Sequence, residues 1–198
     1  MGTSWSPESG TQASVSTGGG TTAVYQYAHF AIGDYDASNF AADTHHPLPF
    51  LGVVLGSLSQ QDNITFGTSG EPATTFTTAD DDSTDACLLV PFMWYLPDTI
   101  SIDGVTALQG LEADATITTR MHLYSYTFTS GSTSALTSGT LVAHSDDLSN
   151  EGSEQAYLQT WTVDSASVVA GKVILAFFRM DTSADDASVT VTVKYHLS

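Results

Sequence analysis

Residues 168–197, VVAGKVILAFFRMDTSADDASVTVTVKYHL, decide the fold class. In the second half Val189, Val191, Val193, Tyr195 and Leu197 fall on one face, and Thr190, Thr192, Lys194 and His196 on the other. That period of two is the mark of a half-buried β-strand. The first half, KVILAFFRM, is apolar on both faces, with Val173, Leu175 and Phe177 alternating with Ile174, Ala176 and Phe178. Such a strand has to be covered on both sides, by a second sheet or by another subunit. An acidic turn joins the two.

Working outward, short apolar runs and turn clusters alternate along the whole chain. Residues 156–163 set Tyr157, Gln159, Trp161 and Val163 on one face, and 136–143 is a shorter strand. Residues 116–129 alternate Arg120, His122, Tyr124, Tyr126 and Phe128 with Met121, Leu123, Ser125 and Thr127. Residues 87–96, CLLVPFMWYL, read as an apolar strand interrupted by Pro91, at an edge or a bulge. Residues 99–105 extend the sheet. Further apolar pieces lie at 24–32, 50–55, 64–66 and 74–78, and the prolines of His45-His46-Pro47-Leu48-Pro49 keep that stretch extended or looped. No segment sustains an apolar period of 3.6, so little helix is expected. Many short strands with regular turns predict an all-β fold, an antiparallel β-sandwich or jelly roll.

The organisation follows from composition. Residues 1–22 are, from Gly2 on, mostly Ser, Thr and Gly, with Trp5 and Val15 as the large apolar exceptions. This extended N-terminal arm cannot bury enough surface to fold alone, and Gly18-Gly19-Gly20 marks a flexible break. Residues 23–84 read as a β-rich attachment region that the same sandwich can include, and 85–198 as the sandwich proper.

The 198 residues carry 22 Asp and Glu against 4 Lys and Arg, a net charge of −18. The fixed cations are Arg120, Lys172, Arg179 and Lys194. Polyphosphate binding needs clustered cations that release counterions, so nucleic acid is excluded as a direct partner. An anionic membrane surface is excluded on the same ground. A charge this large repels itself, and at about 1 M salt, where the Debye length is about 3 Å, most of that repulsion is gone. The acidic excess therefore points to a saline habitat. Cys87 stands alone, so no intrachain disulfide is expected and the thiol reads as a small buried hydrophobe. With no leader and no apolar run of membrane-spanning length, the chain is expected to be soluble and to leave a cell, if it does, as part of a particle.

Candidate chemistry is sparse. There is no Gly-x-Ser-x-Gly elbow, and Gly18-Gly19-Gly20 lacks the lysine of a phosphate loop. With 22 acids, a carboxylate pair at glycosidase spacing arises by chance. No catalysis and no cofactor are expected. His45 and His46, adjacent in an extended segment, point to opposite sides and do not chelate one ion, while His122 and His196 lie in strands whose pairing the sequence leaves open. Asp80, Asp82 and Asp85 are Ca2+ candidates by their oxygen ligands, but the spaced loop with its glycine is absent and the run reads as solvated charge. Trp94, Tyr95, Trp161, Tyr124, Tyr126 and Phe128 either fill the core or stack on sugars, and their core periodicity favours the first.

The strand series carries a resemblance. Leu89-Val90-Pro91-Phe92 is followed by Leu123-Ser125-Tyr126, by the aromatic strand at 157–163, by Val169-Ala170-Gly171-Lys172-Val173-Ile174 with Ala176-Phe177, and by the alternating ending at 189–195. This resembles the β-sandwich domains of tailed-phage virion proteins: tail-fibre tips, head fibres and capsid decoration proteins. It covers about residues 85–198 and nothing in 1–84. A Gly turn before a buried strand also recurs in other jelly rolls, tumour-necrosis-factor-like ones included. The resemblance implies an oligomeric surface module on the exterior of a virus particle, a capsid decoration, cement or head-fibre protein bound to the major capsid or other virion proteins. The oligomer expected is a homotrimer, with Trp5, Val173, Leu175, Phe177, Val189, Val191, Val193 and Tyr195 at its interfaces. The alternatives are a carbohydrate-recognising tail-fibre tip and a polysaccharide-degrading enzyme.

Overall fold

The computed structural model describes residues 23–35, 42–50, 66–67, 70–75, 90–111, 117–132, 135–150, 154–181 and 187–198. The arm at 1–22, with Trp5, and the acidic run holding Asp80, Asp82 and Asp85 lie outside the described residues, as does Cys87. The strands are β1 Gln26–Tyr35, β2 His46–Pro47, β3 Trp94–Tyr95, β4 Ile100–Leu111, β5 Thr118–Phe128 and β6 Leu136–His144. They continue with β7 Leu148–Ser149, β8 Gln155–Thr160, β9 Thr162–Val163, β10 Ser167–Val168, β11 Lys172–Met180 and β12 Ala187–Leu197.

They form two antiparallel sheets. In the front sheet β12 lies between β1 and β4, and β8 and β10 share the far edge of β4. In the back sheet β2 and β3 share one edge of β11, β5 pairs its other edge, and β6 and β7 follow on β5, with β9 beyond β6. From β4 onward, successive long strands thus cross between the sheets, except at the β5–β6 hairpin. The orders β1-β12-β4-β8 and β3-β11-β5-β6 are those of a jelly roll, two Greek keys wound into one sandwich. β1 and β2, from the region read as 23–84, are strands of the same sandwich as the remainder of the chain.

The period of two builds the core. Val189, Val191 and Val193 on β12 turn inward to meet Ile174, Ala176 and Phe178 on β11, with Phe30, Val105 and Leu123 among the other fully buried members. Each large side chain taken out of water contributes roughly 1.5–3 kcal/mol. The one polar side chain of β4 in this core, Gln109, accepts from Thr119 Oγ1 (3.0 Å) and donates to Gln159 (2.9 Å), so its burial is compensated. Gly171 opens β11 at φ +81°, a conformation open to glycine, and its N–H donates to the Leu96 carbonyl (2.8 Å).

Three expectations change. Pro91 lies in a 3-10 turn, Val90–Phe92, instead of interrupting a strand; with no N–H to give, it suits a turn better than a ladder. The strand read at 156–163 is two: β8 pairs β4 in the front sheet, β9 pairs β6 in the back sheet, and Trp161 is buried at the crossing. Leu197 keeps the core face, opposite the buried Ile100, but stands at the rim of the sandwich and ends 55% exposed instead of buried.

Candidate functional site

The outer side of the back sheet is a second, sealed core. The alternation of β5 points Arg120, His122, Tyr124 and Tyr126 outward, and that of β11 points Val173, Leu175, Phe177 and Arg179 the same way. Antiparallel register sets Tyr126 opposite Val173, Tyr124 opposite Leu175, His122 opposite Phe177 and Arg120 opposite Arg179. Phe66, Gly67 and residues 70–75 lie across them. Phe66 meets the Phe177 ring at 5.7 Å, Tyr126 Oη donates to the Ala73 carbonyl (2.9 Å), and Gly139 N donates to the Thr74 carbonyl (2.7 Å). The strand that is apolar on both faces is therefore covered on both sides by its own chain.

This corrects the expected subunit interface. Val173, Leu175 and Phe177 are buried under residues 66–67 and 70–75, and Val189, Val191 and Val193 between the sheets, so these six offer no surface to a partner. Tyr195 is half-buried against the core, its ring 4.9 Å from that of Trp94.

At one end of the sealed layer His45 and His122 are both closed off from solvent, with ring centroids 5.1 Å apart. His45 Nδ1 bonds the Gly67 carbonyl at 3.1 Å, while its Nε2 and the His122 Nδ1 are buried without a hydrogen-bond partner. His122 Nε2 lies 3.4 Å from Glu71 Oε2, too poorly aligned for a hydrogen bond. The same carboxylate oxygen accepts from Tyr124 Oη (2.9 Å), and Glu71 Oε1 is 3.7 Å from Arg120. Loss of hydration is the main reason both imidazoles resist protonation. For His122, His45 and the guanidinium of Arg120 add to it, and its pKa falls to about 3; for His45, the Gly67 carbonyl opposes the fall. Burial, then the bond to Glu71, holds the Tyr124 phenol protonated far above its ordinary range. The cluster is a clasp between β5 and the covering residues. Among the described residues no group of three or more His, Cys, Asp or Glu is placed to hold a metal ion. His122 and His196 do not meet: His196 belongs to the front sheet, its Nδ1 2.7 Å from Asp103.

Among the described residues, none covers the outer side of the front sheet. Leu108 on β4 and Leu158 on β8 stand opposite each other and are 58% and 71% exposed. Thr106 faces Thr160 on one side of this pair, and Gly110 faces Ala156 on the other. Across β12 the rows continue through Thr190 and Thr192 to Ala31 and His29. Lys194, stacked over the Tyr25 ring at 3.9 Å, and Asp103 stand at one end of the face.

A groove of about 200 Å3 opens at the sandwich edge, walled by Trp94, Leu96 and Tyr195 with Gln26 and Asp98 as its polar groups. Tyr195 Oη donates to Gln26 Oε1 (2.9 Å) at its wall. Of the aromatic set, Trp94, Trp161, Tyr124 and Tyr126 are buried, whereas Tyr95 and Phe128 reach the surface.

No family model and no curated protein matches the chain. Among solved structures it is similar to the Eiger TNF from S. frugiperda, at 10% identity and a TM-score of 0.37, over 88% of this chain and 93% of that one. It is also similar to a chain of the infectious bursal disease virus Gt strain, at 10% identity and a TM-score of 0.22, over 93% of this chain and 58% of that one. The strand order, and neither likeness, fixes the fold. Two features escaped the reading of residues alone: the buried clasp, and the exposed leucine pair.

Proposed function

We propose that the protein is a non-enzymatic structural module on the exterior of a virus particle from a saline habitat, working by association with its own copies and with shell proteins. One observation carries the association: of two sheet faces turned away from the core, one is sealed by the chain itself and the other is left bare among the described residues, with a pair of leucines at its middle. Isolated exposed apolar residues are ordinary on any protein; two that pair across neighbouring strands on an otherwise uncharged middle of a face support a docking reading. The −18 charge supports the saline setting, and the likeness of residues 85–198 to tailed-phage sandwich domains supports the particle. Quantitative mass spectrometry of purified particles tests it. Many copies per particle is the expected result for a decoration protein; absence from particles overturns the reading.

A second reading, a carbohydrate-recognising tip, is favoured by the groove, where aromatic walls stand beside the Gln26 amide and the Asp98 carboxylate. It predicts few copies per particle and glycan binding that Asp98→Ala abolishes.

A further inference from the structure

We infer that the bare face of the front sheet is where a second copy of this chain docks, face to face about a two-fold axis. This rests on the reading of the protein as an association module and names its first partner.

Charge decides who can approach. A second copy brings another −18, and bringing two such chains together is opposed wherever like charges would meet without water between them. Among the strand side chains described on this face, the fixed charges are Lys194 and Asp103 at one end, and Glu154, just before β8, adjoins the other; the middle carries none. Thr190 on β12, and Thr106 and Thr160 beside the leucines, present hydroxyls, while that of Thr192 is shared with His29 Nδ1 (3.1 Å). A hydroxyl both donates and accepts, so a surface of hydroxyls is complementary to itself. An isologous interface needs that property, since each patch meets its own copy.

Size agrees. Four strands at about 4.8 Å spacing, each paired over roughly nine residues at about 3.3 Å, span on the order of 600 Å2. Two such faces bury about 1,200 Å2, the lower bound of specific protein interfaces. Flat sheets of this kind pack face to face about 10 Å apart at a small angle, as the two sheets inside one sandwich do. Leu108 and Leu158 then fall at the centre of the contact, where water is excluded and truncation costs most.

The test is the solution mass of the full chain by light scattering, at high micromolar concentration in about 1 M NaCl, where screening removes most of the repulsion between copies. The expected species is a dimer. Leu158→Asp and Leu108→Asp, each placing a carboxylate at the centre, should give monomers with an unfolding midpoint close to that of the parent, because both positions point away from the core. Thr140→Asp, exposed on β6 of the back sheet, adds the same charge elsewhere and should remain dimeric. A monomeric parent overturns the inference, as does a dimer that survives both Asp variants; a species of three or more copies overturns the two-fold pairing. A monomer in solution leaves membership of the particle standing, and absence from particles leaves the dimer standing, so the two readings fail separately.

Discussion

His45 and His122 meet edge to face with 5.1 Å between ring centroids, in a layer that neither water nor a carboxylate fully serves. His45 lies just before the two-residue strand β2 on one edge of β11, and His122 in β5 on the other. Their contact ties both edges of β11 to Gly67 and Glu71, which belong to the covering residues. A layer held by two neutral imidazoles, with Arg120 and Arg179 nearby, is stable only while both stay unprotonated.

The pH dependence follows in sign. Above pH 6.5 His122 is neutral in both the folded and the unfolded chain and contributes nothing. Below it the unfolded chain binds a proton that the native state refuses until about pH 3, so stability falls as pH falls through that window. The loss is roughly 1.4 kcal/mol per pH unit for each imidazole kept neutral. Unfolding midpoints measured from pH 8 to 4.5 should decline, and His122→Phe should flatten the decline. Working in high salt removes the opposing effect of neutralising surface carboxylates. An unchanged slope in His122→Phe would assign the acid sensitivity to other groups.

Phe177 is the centre of the sealed outer layer, touched by Phe66, Tyr124, Tyr126 and His45. Phe177→Ala should cost about 3–5 kcal/mol, the transfer term plus the cavity left behind. Chemical denaturation reads this directly. A loss below about 1 kcal/mol would mean that residues 66–67 and 70–75 collapse onto the sheet instead of spanning a hole.

Gly139 permits the close approach of β6 to the covering segment. A Cβ there would lie 2.7 Å from Tyr126 Cε1 and 2.9 Å from Thr74 Cα. Its N–H also donates to Thr74, so backbone and ring are both pinned. Gly139→Ala should destabilise by about 1–3 kcal/mol, the usual range for overpacking. Protection of the Gly139 amide from hydrogen exchange should fall with it.

Strand faces were legible in the sequence where alternation is long. The inward valines of β12 and the outward Arg120-His122-Tyr124-Tyr126 row of β5 follow from the period of two alone. The cover on β11 was not legible. A strand apolar on both faces demands two coverings, but nothing in its own residues says whether a neighbouring subunit or a distant part of the same chain supplies the second. The segment that does, Phe66 to Thr74, has Gly67, Gly70 and Pro72 where a periodic signal would be. The His45–His122 contact was hidden for a related reason: β2 is two residues long and shows no period. Leu108 lies beyond the strand read at 99–105, and alternation sets Leu158 only on the face opposite Tyr157; whether that face is exposed depends on which side of the sheet is left without a cover, a property of topology.

The charge makes the last prediction. A net −18 on a chain of 198 residues places many carboxylates within one Debye length of one another at low salt, where that length is about 30 Å at 0.01 M and about 10 Å at 0.1 M. Folding gathers these charges, so the native state bears more of the repulsion than the expanded chain. The described cations are already engaged: Arg120 lies near Glu71 and Asp147, Arg179 is 3.4 Å from Asp43, Lys172 donates to Thr127, and Lys194 caps the Tyr25 ring. Little offset remains for the other acids. The unfolding midpoint should therefore rise with NaCl, most steeply below about 0.5 M, where the Debye length is shrinking fastest. A gain of about 2 kcal/mol corresponds to about 4–8 °C for a chain of this size. Thermal unfolding from about 0.05 to 2 M NaCl, above pH 7 so that the buried His45–His122 pair does not contribute, reads the carboxylates. A flat profile would show them spaced well enough that repulsion is negligible, and the saline habitat would lose its physical basis.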